Sequence, residues 1–541
     1  WTRLLILVID NSVYSFTIIL VSVLAGISLG SLFIAPVFRR LKHPLVFFSL
    51  LQAGIGWSAF CFPFFVHMAP MDINVTYWRF LWMKLPLVIL VPTLLMGAAL
   101  PLAADIFQAG RGNVGHSLGT VFSVNTIGGV AGAVAAGFLL MPRLGLQKSC
   151  LLLLGVNLAA AGLAGMTGAG RTRALATLAA LVLVMACGVV VMPSDYFSRK
   201  YGELEPKARL VYYGEGRAAT ATVFQRPDRS RILYLNGMPE VDTSVLSVRT
   251  LKMLGTLPAI LHKNPSSALM ITFGAGISAG MTVRFVDRID CVDVADQVPK
   301  IAPWFRADNN HVLENPRFSL VIDDARHFLK NTHKRYSVIV SDATHPRSYD
   351  SWVLFTSDFY RLVRRRLHTD GIFCQWVPFH GLNRKQYMGI VRTFYSVFPH
   401  TSIWRFGRAY TLLLATPDRL NIRFRSVLSK MLRKDVRRDL ARAGITSPFQ
   451  LLSHFAAGEN RVAEMVKGFP GILTDNSPAH LFFPPGATLK EQYRTWPEEN
   501  LRRLHDYSES IVPYVTDISP SKSVREKVIR TFRRFEMKQT W

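Results

Sequence analysis

The sequence predicts an α-helical membrane bundle followed by an α/β region, in which a small β-rich part precedes a doubly wound, mainly parallel sheet. Three observations carry this. Half of the 541 residues are hydrophobic, and between about residues 13 and 193 they gather in runs near the roughly 20 apolar residues that a bilayer-crossing helix needs. Beyond residue 193 the chain turns polar and charged. From Ser267 onward, short apolar strands alternate with helical patterns, the order that builds parallel sheets.

In the first region, 1–193, six spans are expected, at 13–37, 44–67, 85–107, 117–141, 149–167 and 174–192. Small residues recur in them, as in GISLGS, GGVAGAVAAG and NLAAAGLAG. Such residues let helices approach closely in lipid, where burial of apolar surface gives no drive to associate. Buried helices of a soluble protein are the competing reading, and the very short loops argue against it. The chain opens on WTRLL rather than methionine, which leaves room for an earlier span. Basic residues flank both ends of the spans, so the charge bias gives no orientation.

The second region, 194–266, reads as β-rich. ARLVYYGEG, AATATVFQR and RILYLNG are short β-branched and aromatic runs separated by turn residues. The third, 267–418, alternates: strand ALMITF, glycine loop GAGISAG and a helix; strand RIDCVDV and a helix from Asp296; strand FSLVI, ending at Asp323 and Asp324, and a helix from Ala325. Strand YSVIVS then ends at Asp342. A helix over 357–367, strand GIFCQWV, a helix over 384–398 and strands TSIWRF and AYTLLLAT follow. The fourth, 419–541, is basic and mainly helical.

The net charge is +27, much of it in RFRSVLSKMLRKDVRRDLAR and REKVIRTFRRFEMK. Contact with anionic lipid head groups is the expected reason, beside a plain solvated face; no recognised nucleic-acid module is present. Cys61, Cys150, Cys187, Cys291 and Cys374 have no metal-ligand spacing and read as core residues, so no metal is expected.

Ligands of open parallel sheets bind beyond the carboxyl ends of the strands. Four such ends carry candidate groups. Gly274, Gly276 and Ser278 lie in the first loop, where glycines permit tight turning and close backbone approach; alone this pattern is weak. Asp293 closes the next strand, 17 residues beyond Gly276, a spacing that suits a carboxylate on ribose hydroxyls. Of Asp323 and Asp324, one would accept from an adenine amino group and the other cap the helix. Asp342 ends the fourth strand, and His345 follows it.

These stretches, with LLMGAALPL, YYGEGRAATATV, GTLPAILH, IDDARHFL, SDATHP, LFTSDFY and TDNSP, resemble the spermidine synthase family, and most closely its membrane-fused branch. The resemblance implies an N-terminal β-hairpin part, a Rossmann-like sheet of the methyltransferase type, and aminopropyl transfer from decarboxylated S-adenosylmethionine, or the use of S-adenosylmethionine itself. It implies that the glycine loop holds the nucleoside end, Asp293 the ribose and Asp324 the adenine side, and that Asp342 is the first acid of the family's Asp-x-x-Asp-Pro loop. The chain departs from the family at Ile277 and Ser278, where soluble members have glycines, at Glu240 for a glutamine, at His345 for the second acid, and at Asn476 in TDNSP. A Tyr-His pair has no counterpart. Neutral histidine can accept a proton, with a reference pKa of about 6.5, but it cannot supply the negative charge that draws in a diammonium ion.

The expected function is therefore a membrane-anchored transferase, with Asp342 and His345 as catalytic candidates and a cytoplasmic soluble region on a bacterial inner membrane. The alternative is a catalytically degenerate subunit that serves as a structural component of a membrane complex with protein partners. Transport ranks last, because no span carries a charge near its middle.

Overall fold

The computed structural model describes residues 13–38, 40–67, 85–109, 113–167, 171–192, 195–469, 471–479, 487, 490–519 and 521–538. The opening WTRLL and Arg3, Arg39, Arg79, Lys84 and Arg111 lie outside them. Two compact units form. One holds the described residues up to Pro206 with Tyr213–Thr220 and Asn236–Met238; the other holds Lys207–Tyr212, Ala221–Leu235 and everything from Pro239 onward.

The first unit is helical: α1 (Val13–Phe38), α2 (Pro44–His67), α3 (Leu85–Gln108), α4 (Val114–Val134), a π-helical segment (Ala135–Leu140), α5 (Met141–Thr167), α6 (Arg171–Val191) and the short α7 (Tyr196–Gly202). Among the described residues five helical stretches are long and apolar enough to cross a membrane, where the sequence pattern suggests six. The difference lies in 114–167, which stays helical for 54 residues. At 1.5 Å per residue that is about 80 Å, far beyond a bilayer core of about 30 Å. Its break is Gly145, at φ 75°, ψ 176°, a backbone that only glycine adopts readily. Leu146 N, just past the break, donates to Glu215 Oε2, and Tyr213 OH donates to Glu215 Oε1. The small residues of α1 and α3 do what their pattern suggests. A Cβ on Gly26 would lie 1.9 Å from Thr93 Oγ1, one on Gly30 2.0 Å from the Leu94 carbonyl, and one on Gly97 2.2 Å from that of Ile27. Outward faces stay apolar, with Leu163 70% and Val190 80% exposed.

Strands β1 (Arg209–Glu215), β2 (Thr220–Gln225), β3 (Arg231–Leu235) and β4 (Met238–Asp242) form a four-stranded sheet in chain order. The turn between β3 and β4 is Asn236-Gly237, at φ 51° and 80°, the pair that favours tight hairpins. The region expected to be β-rich then continues as a 17-residue helix, α8 (Val245–Leu261), capped by Ser244.

The main sheet has eight strands: β5 (Ser267–Ile271), β6 (Arg288–Asp293), β7 (Phe318–Ile322), β8 (Tyr336–Ser341), β9 (Leu367–Pro378), β10 (Thr401–Phe406), β11 (Tyr410–Ala415) and β13 (Phe455–Ala457), in the order β13-β10-β11-β9-β8-β5-β6-β7. The five from β9 to β7 are parallel, and β11 enters antiparallel between β9 and β10. This is the Rossmann-like, methyltransferase-type order that the resemblance implies. Helices α9 (Ile277–Thr282), α10 (Ala325–Asn331), α11 (Ser357–Arg366) and α12 (Arg384–Val397) connect the strands. Strand β8 is buried along its whole length, and an aromatic layer of Tyr360, Phe373, Phe394 and Phe398 fills the space to α11 and α12.

The region after residue 418 is not a separate extension. Its β13 is the edge strand of the main sheet, and its short β14 (Val515–Thr516) pairs with β12 (Ile422–Arg423). Val462, Met465, Leu473, Leu501 and Leu504 join the same core as β5 and β8.

Candidate active site

Strand order reverses between β5 and β8: β6 and β7 lie on one side of β5, and β8 and β9 on the other. At such a switch the loops diverge and leave a crevice at the carboxyl edge. The loop after β5 is strongly turned, with Thr272, Gly274 and Gly276 at φ 67°, 53° and 79°, and Gly276 N donates to the Phe273 carbonyl at 2.7 Å. A Cβ on Gly276 would sit 2.5 Å from the Phe273 ring, and one on Gly280 would sit 2.1 Å from the Asn309 carbonyl. Both glycines are thus required by packing. Gly274, whose added Cβ would meet only Val241 at 3.5 Å, is the one with room beside its backbone.

Asp293 pins this loop. Its Oδ2 accepts from Phe273 N at 2.7 Å and Gly274 N at 3.4 Å, and its Oδ1 accepts from Ala295 N at 2.8 Å. A carboxylate offers about four acceptor sites, so about one remains for a ligand hydroxyl. Burial lifts its carboxyl above the usual range against these three donors, with Asp350 adding to the lift. Asp342 N donates to the Ile271 carbonyl, which ties the ends of β5 and β8 together. Asp342 Oδ2 accepts from Ser278 Oγ at 2.9 Å. Burial, offset by that hydroxyl and reinforced by Asp293, pushes the Asp342 carboxyl up to about 6. Glu240, carried by β4, is pushed well above the carboxylate range by burial first, then by Asp350, Asp342 and Asp293. Glu240, Asp293 and Asp342 thus oppose one another's ionisation, and the exposed Asp350 adds to the rise at Glu240 and Asp293.

Asp323 and Asp324 divide their work in a way the sequence left open. Asp324 is the N-cap of α10, its Oδ1 accepting from His327 N at 2.8 Å. Asp323 faces the His327 ring, with Nδ1 2.8 Å from Oδ2, and its N donates to the Asp293 carbonyl at 3.0 Å. The acid that the resemblance assigns to adenine is the one that caps the helix.

His345 is held from both sides. Nδ1 accepts from Arg347 N at 3.2 Å, so Nε2 carries the proton and donates to the His380 carbonyl at 2.8 Å. Both ring nitrogens are thus engaged within the protein. The neighbouring His380 ring, pushed down to about 4 by burial and then by Arg347, stacks on Tyr493 at 5.9 Å. Gly381 N donates to the Gln492 carbonyl, so the chain's C-terminal part covers the loop after β9.

Three residues escaped the sequence reading. Asp350 lies in the loop after Asp342 with no spacing to mark it. Asp475 of TDNSP pairs with Arg326, Oδ1 at 3.0 Å from Nη1, and also accepts from Thr356 Oγ1 at 2.9 Å; the motif fastens α10 to the start of α11. Arg347, inside the loop, donates to Gln492 Oε1 at 3.1 Å. Among the described residues no group of three or more metal-ligating side chains forms.

Residues 249–404 match the spermine/spermidine synthase domain family. A polyamine aminopropyltransferase of Corynebacterium efficiens is 26% identical over 371 residues, 66% of this chain and 69% of that protein. Polyamine aminopropyltransferase 2 of Streptomyces coelicolor is 29% identical over 325 residues, 54% of this chain and 56% of that protein. Among solved structures, spermidine synthase from Thermotoga maritima aligns at a TM-score of 0.35 and 20% identity, over 43% of this chain and 88% of its own.

Proposed function

We propose that the chain, whose residues 249–404 form a spermine/spermidine synthase domain, is a membrane-anchored aminopropyltransferase with decarboxylated S-adenosylmethionine as donor and a cationic amine as acceptor. The observation that carries this is the gathering of Glu240, Asp293, Asp342 and Asp350 at the switch of the sheet. Neighbouring carboxyls that are largely withdrawn from solvent resist ionising together, the exposed Asp350 adds to this from the rim, and a cationic ligand relieves them. The sulfonium of the donor and the ammonium groups of an amine are such ligands.

In the reaction the amine nitrogen attacks the methylene next to the sulfonium; a C–N bond forms, the C–S bond electrons go to sulfur, and the thioether leaves. Asp342 takes the proton that the amine sheds. A base near the working pH serves best, and Asp342 sits at about 6. Ser278 fixes the orientation of its Oδ2. Asp293 holds the glycine loop and offers its remaining acceptor site to the ribose. Asp350 supplies negative charge in place of what His345 lacks, and Glu240, held protonated by burial, adds to it once a bound cation favours its ionised form. The five long apolar helices support anchoring in a membrane, and a donor made in the cytoplasm requires the α/β region on that side.

The test is the purified full chain with decarboxylated S-adenosylmethionine, S-adenosylmethionine and a panel of amines. Saturation at a hundred times the dissociation constant stabilises a protein by about 2.7 kcal/mol, a readable rise in melting temperature. Donor binding with release of the thioether on adding an amine is the expected result. No shift with either sulfonium compound would overturn the reading.

A further inference from the structure

Two basic runs close the chain, and the structure separates them. In the first, three of the charges are turned to internal use. Lys430 Nζ donates to the Ile260 carbonyl at 3.2 Å and to that of His262, at the end of α8. Arg433 donates to the Arg284 carbonyl at 2.7 Å, and Arg425 Nε lies 3.6 Å from Asp517 Oδ1. These contacts fasten α13 (Phe424–Leu432) and the chain around it to the α/β unit.

The second run forms α18 (Lys522–Lys538), numbered after α14 (Lys434–Arg442), α15 (Pro448–Leu452), α16 (Glu459–Val466) and α17 (Trp496–Asp506). Its apolar side is already occupied. Phe532 is fully buried, its ring 5.7 Å from Phe424 and 4.8 Å from Phe449, and Phe535 stacks on Phe449 at 6.2 Å. Glu536 is turned inward, accepting from Ile511 N at 2.9 Å and Ser510 Oγ at 3.0 Å. At 3.6 residues per turn, Lys522, Lys527, Arg530, Arg533 and Arg534 fall within an arc of about 140° on the opposite side. All five are exposed, and among the described residues none of them is ion-paired. Glu526 is the one exposed acid described on the helix.

We propose that this outward arc is an electrostatic docking surface for anionic lipid head groups. It rests on the membrane-anchored reading for the presence of a bilayer. Several cations on one helix face, in a chain that also carries long apolar helices, are the chemistry that recognises phosphate-bearing head groups. Tethering to the bilayer raises their effective concentration at the arc. The apolar side is spent on docking to the protein, so the helix lies against the head groups without entering the acyl region, unlike an amphipathic helix that buries its apolar face. Single-stranded nucleic acid fits less well, because it needs aromatic platforms for its bases, and the phenylalanines here point inward.

The full chain in nanodiscs tests this by hydrogen–deuterium exchange over 522–538. Exchange should slow several-fold when phosphatidylglycerol is mixed into phosphatidylcholine, revert at high salt, and lose its lipid dependence in the Arg530→Glu/Arg533→Glu/Arg534→Glu variant. Unchanged exchange elsewhere in the α/β unit shows that the variant is folded. Equal exchange in the two lipid compositions would overturn the proposal. So would slowing by single-stranded RNA in neutral discs without slowing by phosphatidylglycerol. A chain that does not enter nanodiscs overturns membrane anchoring and this surface with it.

Discussion

Ser278 stands where the soluble enzymes that this chain resembles have glycine, and its hydroxyl reaches the acid expected to take the proton. Ser278→Ala removes the 2.9 Å hydrogen bond to Asp342 Oδ2 and little else, since the side chain is small and buried. A hydrogen bond to a charged group contributes about 1.5–3 kcal/mol, and a pKa change of one unit corresponds to about 1.4 kcal/mol. The hydroxyl favours the ionised carboxyl, so its loss should lift Asp342 from about 6 by ~1–2, to between about 7 and 8. Asp342 must be ionised to accept a proton. The acid limb of the transfer rate against pH should therefore move up by ~1–2 pH units, with donor binding little changed. The assay is thioether release measured across pH for both proteins. An acid limb that stays in place in Ser278→Ala, while Asp342→Asn abolishes transfer, would refute the coupling of hydroxyl to carboxyl.

Asp342 also makes a statement about stability. Its folded pKa is raised above the ordinary 3.8, so its contribution is fully present below about 3.8 and is lost as pH rises through about 6. The loss at neutral pH is at most ~3 kcal/mol before screening, and Asp342→Asn should raise the denaturation midpoint at pH 7 but not near pH 4. Substituting His345→Asp, which would restore the family's charge pattern, should instead lower the melting temperature by several degrees without improving diamine binding, because a carboxylate there would face the His380 carbonyl with no proton to donate. Gly276→Ala, at φ 79° with the Phe273 ring in the way, should cost about 1–3 kcal/mol and abolish donor binding, both measurable by thermal melts with and without ligand.

The main sheet was legible because its strands are uniform. YSVIVS and ALMITF are apolar runs bounded by polar turn residues, and helix starts such as Asn383 carry their caps in sequence. Residues 238–242, Met-Pro-Glu-Val-Asp, do not read as a strand because proline and two acids hide the alternation, although Asn236-Gly237 announces the turn before it. Strand β13 is three residues long, too short for any pattern, which is why the fourth region read as an appendage rather than as part of the sheet. At the site, the glycine loop and the strand-end acids could be placed from local order alone. The surroundings of Glu240 and His345 could not, because they depend on residues far along the chain: Asp350 and Asp342 for the first, and the carbonyl of His380 for the second.

The hinge at Gly145 bears on where this protein can be divided. Composition suggests a cut near residue 193, between the long apolar helices and the polar chain. Yet Glu215, at the end of the first strand of the soluble part, caps the helix that restarts at Leu146, and the turn that contains it packs with the helical unit. A shortened chain that began at the compositional border would leave Glu215 and Tyr213 without their counterpart, and would leave Leu146 uncapped on the discarded piece. Tyr213–Thr220 belongs to the helical unit although it lies beyond the compositional border, so a dissection that respects the fold must either keep the helices or rebuild that hairpin.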